Sequence, residues 1–149
     1  MQSKLKLASV ILFMALNVFL MAFGALYASV QDVLFFHAAA VPERALEDVR
    51  PLYFALMTLI GGASGGLGLL GAYVTLVPMR QGAPFAATLL ALANTVALAM
   101  AAATAEKLAR ATGAPTSWHI MGILMAINLS AWFANYLAGR KGSVPRESA

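Results

Sequence analysis

Long apolar runs alternate with short polar segments along the chain. Four runs carry no Asp, Glu, Lys or Arg, at residues 7–30, 52–79, 83–105 and 118–138. Each is as long as the ~20 residues that an α-helix needs to cross the hydrocarbon of a bilayer. The pattern predicts an all-α, polytopic membrane protein, an antiparallel bundle of four transmembrane helices in one domain over residues 1–138. A polar tail follows at residues 139–149.

Composition agrees with a lipid environment. Hydrophobic residues make up 61% of the 149 residues and charged residues 11%, whereas a soluble domain is about a quarter charged. The chain has no cysteine, which excludes disulfides and thiolate metal sites. The basic residues behind the net charge of +4 lie at the ends of the apolar runs. Membrane topology therefore explains them, and no nucleic-acid partner is predicted.

Lys and Arg are unevenly divided between the two ends of the predicted bundle. Six lie on the side that holds both termini and four on the other: Lys4, Lys6, Arg80, Arg140, Lys141 and Arg146, against Arg44, Arg50, Lys107 and Arg110. Loops that stay in the cytoplasm carry the excess of Lys and Arg. This predicts cytoplasmic termini, in a membrane of the bacterial inner (plasma) membrane type.

The first connection between spans, residues 31–50, is the longest. Its segment 42–49 opens with Pro42 and has Leu46 and Val49 for an apolar side, which predicts a short interfacial helix between the first two spans. Charged residues of this connection and of the end of the third span are expected to form a cluster on the outer face: Glu47, Asp48, Arg50 and Lys107.

The second span contains half of the glycines in the chain, and most follow the four-residue spacing of close helix packing. Gly61 and Gly65 form one GxxxG pair, Gly62 and Gly66 form a second, and Gly68 continues the small-residue pattern. Helices in lipid gain little from hydrophobicity alone, so small residues that let two backbones approach are what join them. The partner is either another helix of the same bundle or a helix of another subunit; a third interpretation is a ligand or ion route lined by the glycine backbone.

One polar residue stands near the centre of each span. These are Asn17, Ser64, Asn94 and Asn128, and Asn135 extends the stripe in the fourth span. Unpaired amides are costly in hydrocarbon, so the side chains are predicted to point into the bundle as a midplane polar layer. Such a layer either bonds the helices together or binds a neutral or lipid-like solute, as transporters do near the midplane.

In size and number of spans the chain resembles the small four-helix multidrug antiporters. Those proteins carry a carboxylate in the first helix, where this chain has Asn17, and no ionisable residue lies deep in any span. Proton-coupled transport is therefore not predicted. The size also resembles that of the membrane glutathione-transferase-like family, but its Glu-Arg-rich second helix is missing, since Glu43 and Arg44 lie outside the span.

Two histidines and a glutamate are the candidate catalytic residues. His37 lies in the first connection, Glu106 follows the third span, and His119 opens the fourth. If the three converged they would suit acid–base work on a lipid head group. Their spacing matches no HExxH or similar motif, so no metal or cofactor is predicted.

The sequence is compatible with three functions. The first is a non-enzymatic membrane protein that acts through helix contacts, as an accessory subunit or a homo-oligomer, with membrane lipids around it. The second is a small transporter, channel or lipid-binding protein that uses the polar layer. The third is a membrane enzyme at the outer head-group level.

Overall fold

The computed structural model describes residues 2–140, which are almost entirely helical. The helices are α1 (Gln2–Ala28), α2 (Phe35–Ala38), α3 (Leu46–Leu76), α4 (Ala86–Thr112) and α5 (His119–Arg140), with one 3-10 turn at Glu43–Ala45 before α3. Four of them, all except the short α2, are long and apolar enough to cross a membrane. The predicted all-α class with four spanning helices is confirmed, and the chain is an integral membrane protein.

The boundaries of α3 and α4 differ from the predicted ones. A short helix does lie between the first two spans, but it is α2 at Phe35–Ala38. Residues 43–49 are helical as expected, but they join α3, because the 3-10 turn leads directly into that helix, which continues through Pro51. Proline there removes one backbone N–H near the helix end, where water can bond the carbonyl left free. α4 runs beyond residue 105 to Thr112 because Ala, Glu, Lys, Leu and Arg are good helix formers. Gly113 ends it in the left-handed conformation, at φ 70°.

The four long helices do not pack in chain order. α1 packs extensively against α3 on one side and α5 on the other, and α4 packs mainly against α5. The contact between α3 and α4 is small although these helices are consecutive. Two buried clusters fill the bundle: Phe13, Met79, Ala86, Ala87, Leu90, Ala91 and Ala131, and Leu16, Leu20, Leu98 and Leu124.

Large apolar side chains also cover the outside of the bundle. Leu59 is 68% exposed, Leu89 64% and Ile123 63%. In water such a surface would be unfavourable, whereas in a bilayer it contacts lipid chains of equal polarity. The outer face of the helices is therefore the lipid-facing surface.

The two ends of the bundle are distinct. Ser3, Gly82 and Gly139 line one cavity, so the start of α1, the α3–α4 connection and the end of α5 meet at what we name the terminal end. The connections at residues 29–45 and 113–118 form the opposite, loop end. α5 continues to Arg140, and the remainder of the predicted polar tail lies outside the described residues.

Candidate functional site

The α1–α3 interface is a contact between two backbones. Gly61 is buried against α1, and a methyl group built on it would lie 2.5 Å from the backbone nitrogen of Ala28 and 2.6 Å from the carbonyl oxygen of Gly24. Gly68 meets Asn17 and Met21 in the same way. Only glycine allows this approach, so this face of α3 is already occupied by α1.

The partner on α1 was not predicted from the sequence. A methyl group built on Gly24 would lie 2.5 Å from the backbone nitrogen of Gly65 and 2.6 Å from the carbonyl oxygen of Gly61, so Gly24 is directed at the α3 backbone between these two glycines. Gly24 and Ala28 form a small-xxx-small pair in the first span, the signal by which this interface can be found.

The neighbouring face of α3 is free within the described chain. Methyl groups built on Gly62 and Gly66 would meet nothing within 4 Å, and both residues are exposed. Residues one position apart on a helix point about 100° apart, which is why Gly61 is filled by α1 while Gly62 is open. The predicted glycine set is thus divided between an inner face (Gly61, Gly68) and an outer face (Gly62, Gly66). Gly65 lies between them: its backbone contacts Gly24, but a methyl group built on it would also meet nothing within 4 Å.

The first part of the polar layer joins α1 to α3. Asn17 is fully buried, and its Nδ2 donates to Thr75 Oγ1 at 3.2 Å. Thr75 in turn donates to the carbonyl of Gly71 at 2.7 Å. The expected α3 partner, Ser64, is half-buried and lies 11 positions before Thr75, roughly 16 Å away along the helix.

Ser64 therefore does not share a level with Asn17, contrary to the prediction. Asn17 and Ser64 lie at similar distances from the centres of their spans in the sequence, whereas the α1–α3 register is set by the glycine contacts. Those contacts place Gly24 beside Gly61 and Asn17 beside Gly71. The signal for the correct partner is the small-xxx-small pair of Gly71 and Thr75.

The second part of the layer joins α4 to α5. Asn94 Nδ2 donates to Asn128 Oδ1 at 3.2 Å. Asn128 Nδ2 donates to the carbonyl of Ala91 at 2.9 Å and to Thr95 Oγ1 at 3.0 Å. Both amides are fully buried. Each such bond is worth only about 0.6 kcal/mol on average in a membrane, but together they fix the register of α4 on α5.

Three buried polar atoms have no hydrogen-bond partner among the described residues: Ser9 Oγ, Asn17 Oδ1 and Asn94 Oδ1. Asn17 Oδ1 lies against Gly71, so close that a Cβ on that residue would clash with it, and the Cα–H group of the glycine is a weak donor. Asn128 Nδ2 already donates to Ala91 O and Thr95 Oγ1, so it would not serve Asn94 Oδ1 if the Asn94 amide were turned over. The layer thus contains two amide acceptors, Asn17 Oδ1 and Asn94 Oδ1, that have no hydrogen-bond donor among the described residues.

At the loop end, a histidine and a tyrosine connect α2 to α3. Tyr53 Oη lies 3.1 Å from His37 Nδ1 and accepts a bond from the backbone N–H of Leu34 at 3.2 Å. Burial lowers the pKa of His37 below its ordinary value of 6.5, since the charged form loses solvation. Beside this pair is an open, mainly apolar cavity of about 190 Å³ that extends to Leu108 of α4.

The outer charges pair differently from the predicted cluster. Arg50 bonds Asp32 at 2.9 Å, and Glu106 bonds Arg110 one helical turn away at 2.7 Å. The other members of the predicted cluster are exposed and take part in no ion pair of the described range: Glu47, Asp48 and Lys107. Exposed pairs of this kind contribute about 0–1 kcal/mol, so the charges form no built site.

The candidate catalytic residues engage separate partners. His37 contacts Tyr53, Glu106 contacts Arg110, and the Nδ1 of His119 contacts the hydroxyl of Ser117. Within residues 2–140, no three His, Asp or Glu side chains lie close enough together to hold a metal ion. The contacts give no support to an acid–base or metal centre at this end.

Comparison with known proteins adds no family to these observations. No protein-family model, curated protein or solved structure matches the chain significantly. Function must therefore be inferred from two features of the bundle: the open glycine face of α3, and the buried amides with unused acceptors.

Proposed function

We propose that this protein acts through helix–helix contacts in the membrane, as a homo-oligomer or an accessory subunit of a membrane complex. The observation that supports the proposal is the open space at Gly62 and Gly66. Their neighbours Gly61 and Gly68 are filled by α1, so intramolecular packing accounts for only one of the two glycine faces.

The open face has the features of a helix-docking surface. Thr58 precedes Gly62 by four residues and is also exposed, so the small-residue spacing covers three positions over about two turns. Leu59 and Leu69 flank this groove and are 68% and 64% exposed. A second helix seated on the glycines would gain close backbone contact and pack its side chains between these leucines.

We also propose the bacterial inner membrane as the location, with the terminal end in the cytoplasm. In the described range, Lys4, Lys6, Arg80 and Arg140 lie at that end. None of the acidic residues within 2–140 lies at the terminal end. All of them belong to the loop end: Asp32, Glu43, Glu47, Asp48 and Glu106. The excess of Lys and Arg supports this orientation.

The proposal is tested by replacing the glycines of the groove with a larger residue. Replacing Gly62 and Gly66 together by Leu should abolish assembly, because a side chain of four carbons holds the partner backbone several ångströms away. The loss of about 10–15 atom contacts at 0.1–0.2 kcal/mol each is about 1–3 kcal/mol, which corresponds to an association roughly 5- to 150-fold weaker. Native mass spectrometry after mild extraction measures the stoichiometry.

The matched control replaces Ala99 and Ala103 by Leu. These residues have the same four-residue spacing and are exposed on α4, so the control adds the same lipid-facing bulk elsewhere. Loss of the complex in the glycine variant alone supports the proposal. An unchanged complex in a folded glycine variant contradicts it, as does a wild-type protein that is monomeric in its own membrane.

A second candidate function rests on the unused acceptors in the polar layer. Asn94 Oδ1 is fully buried and has no partner in the described range, which favours a hydrogen-bond donor at this level of the bundle. We propose passage or binding of a small, neutral, hydrogen-bond-donating solute as the alternative activity. Uptake of such a solute into proteoliposomes is the assay that tests it.

A further inference from the structure

The terminal end of the bundle contains a cavity. Its volume is about 360 Å³, within the usual range for small-molecule sites. It opens between the start of α1, the α3–α4 connection and the end of α5. The polar side chains in its wall are those of Ser3, Lys6, Thr88 and Asn135.

The charge around this cavity has one sign. Lys6 is part of its wall, and Lys4, Arg80 and Arg140 belong to the same end of the bundle. No acidic residue of the described range is at this end, since all of those lie at the loop end. An anion entering the cavity meets an attractive potential with no acid of the described range to oppose it.

Hydrogen-bond donors accompany the charge. Thr88 Oγ1 accepts a bond from Trp132 Nε1 at 3.1 Å, which leaves the threonine hydroxyl hydrogen available to an acceptor in the cavity. Ser3 adds a hydroxyl and Asn135 an amide. An ammonium, two hydroxyls and an amide match the several acceptor oxygens of a phosphate group.

Apolar surface continues from the mouth of the cavity along α4. Phe85 lines the cavity and is 74% exposed, held in the left-handed region at φ 64° where a bulky side chain is costly. Leu89, one turn further, is 64% exposed. The site therefore joins a cationic pocket at the end of the bundle to a lipid-facing apolar strip, which fits a molecule with a phosphate head and an acyl chain.

We propose that this cavity binds the phosphate-bearing head group of an anionic phospholipid, with Lys6 as the charge partner and the acyl chains along Phe85 and Leu89. The position favours a lipid over free phosphate, because inorganic phosphate would not use the apolar strip. Trp132, bonded to Thr88, is of the residue type that marks the membrane–water boundary. The binding does not depend on the open glycine face of α3.

The test compares two lysines on one helix by native mass spectrometry of the full chain. Lys6→Gln removes the charge in the cavity wall, whereas Lys4→Gln removes an equal charge from an exposed residue of the same turn that does not line the cavity. Phosphatidylglycerol, phosphatidylcholine with the same acyl chains, and inorganic phosphate are the probes. We expect Lys6→Gln to weaken phosphatidylglycerol retention about tenfold, the scale of a lost charge-assisted hydrogen bond.

The remaining expectations follow from the same geometry. Lys4→Gln should change retention less than about twofold, and Lys6→Arg should restore it, since arginine keeps the charge and bonds phosphate well. Equal losses in the two glutamine variants would overturn the proposal by showing a diffuse surface attraction. Phosphatidylcholine retained as strongly as phosphatidylglycerol would also overturn it, and phosphate retained without phosphatidylglycerol would overturn the lipid as the occupant.

Discussion

Two adjacent glycines of α3 provide a direct measure of the α1–α3 contact. Gly61→Ala places a methyl group 2.5 Å from Ala28 N and 2.6 Å from Gly24 O, whereas Gly62→Ala places one in open space. Ordinary contact begins at 3.4 Å, so the two backbones must move apart by about 0.9 Å (3.4 − 2.5) to accept the first substitution. Backbone atoms cannot rotate away as a flexible side chain does.

The magnitude follows from two opposing effects. Overpacking of this kind costs about 1–3 kcal/mol, and replacing glycine by alanine inside a helix gains about 1 kcal/mol. The second effect is the same at both positions and cancels in the comparison. We expect Gly62→Ala to be as stable as wild type or up to ~1 kcal/mol more stable. Gly61→Ala should be about 1–3 kcal/mol less stable than Gly62→Ala.

The assay is unfolding by sodium dodecyl sulfate in mixed micelles, followed by tryptophan fluorescence. The chain has two tryptophans, and Trp132 reports on the bundle because its indole bonds Thr88 across the α4–α5 interface. Dilute protein keeps self-association out of the measurement. Equal unfolding free energies for the two alanine variants, or a more stable Gly61→Ala, would refute the assignment of Gly61 to the inner face.

The remaining predictions concern the polar layer and the loop end. Asn94→Leu removes the donor to Asn128 Oδ1, so we expect a loss of about 1–2 kcal/mol in unfolding free energy. If the second candidate function holds, Asn94→Leu also abolishes solute uptake. The control is Ala93→Leu at the adjacent, exposed position, which should retain both the stability and the uptake. Burial lowers the pKa of His37 in the folded protein. Between that lowered pKa and the ordinary value, the unfolded chain therefore binds more protons at His37 than the folded protein does. Acidification from about pH 7.5 to 5.5 should therefore lower the thermal midpoint. His37→Gln should reduce that pH dependence, and an identical pH profile for wild type and variant would show that His37 does not contribute.

The identity of the elements could be predicted from the sequence because spanning a membrane is a local property. A run such as 83–105 predicts a helix whatever its neighbours are, since hydrocarbon requires every backbone group to bond within its own segment. The buried position of Asn17, Asn94 and Asn128 follows from the same cost. The small-residue spacing of α3 likewise indicates that two backbones approach closely there.

Pairing between helices was decided only by the tertiary structure. Helices in lipid share nearly equal apolar surfaces, so the choice of partner depends on pairwise contacts between residues far apart in the chain. The contact of Gly24 with Gly61 and Gly65 sets the register that brings Thr75, and not Ser64, to Asn17. The same physics pairs α4 with α5 rather than with α3. It also places Gly61 and Gly68 against α1 and leaves Gly62 and Gly66 open.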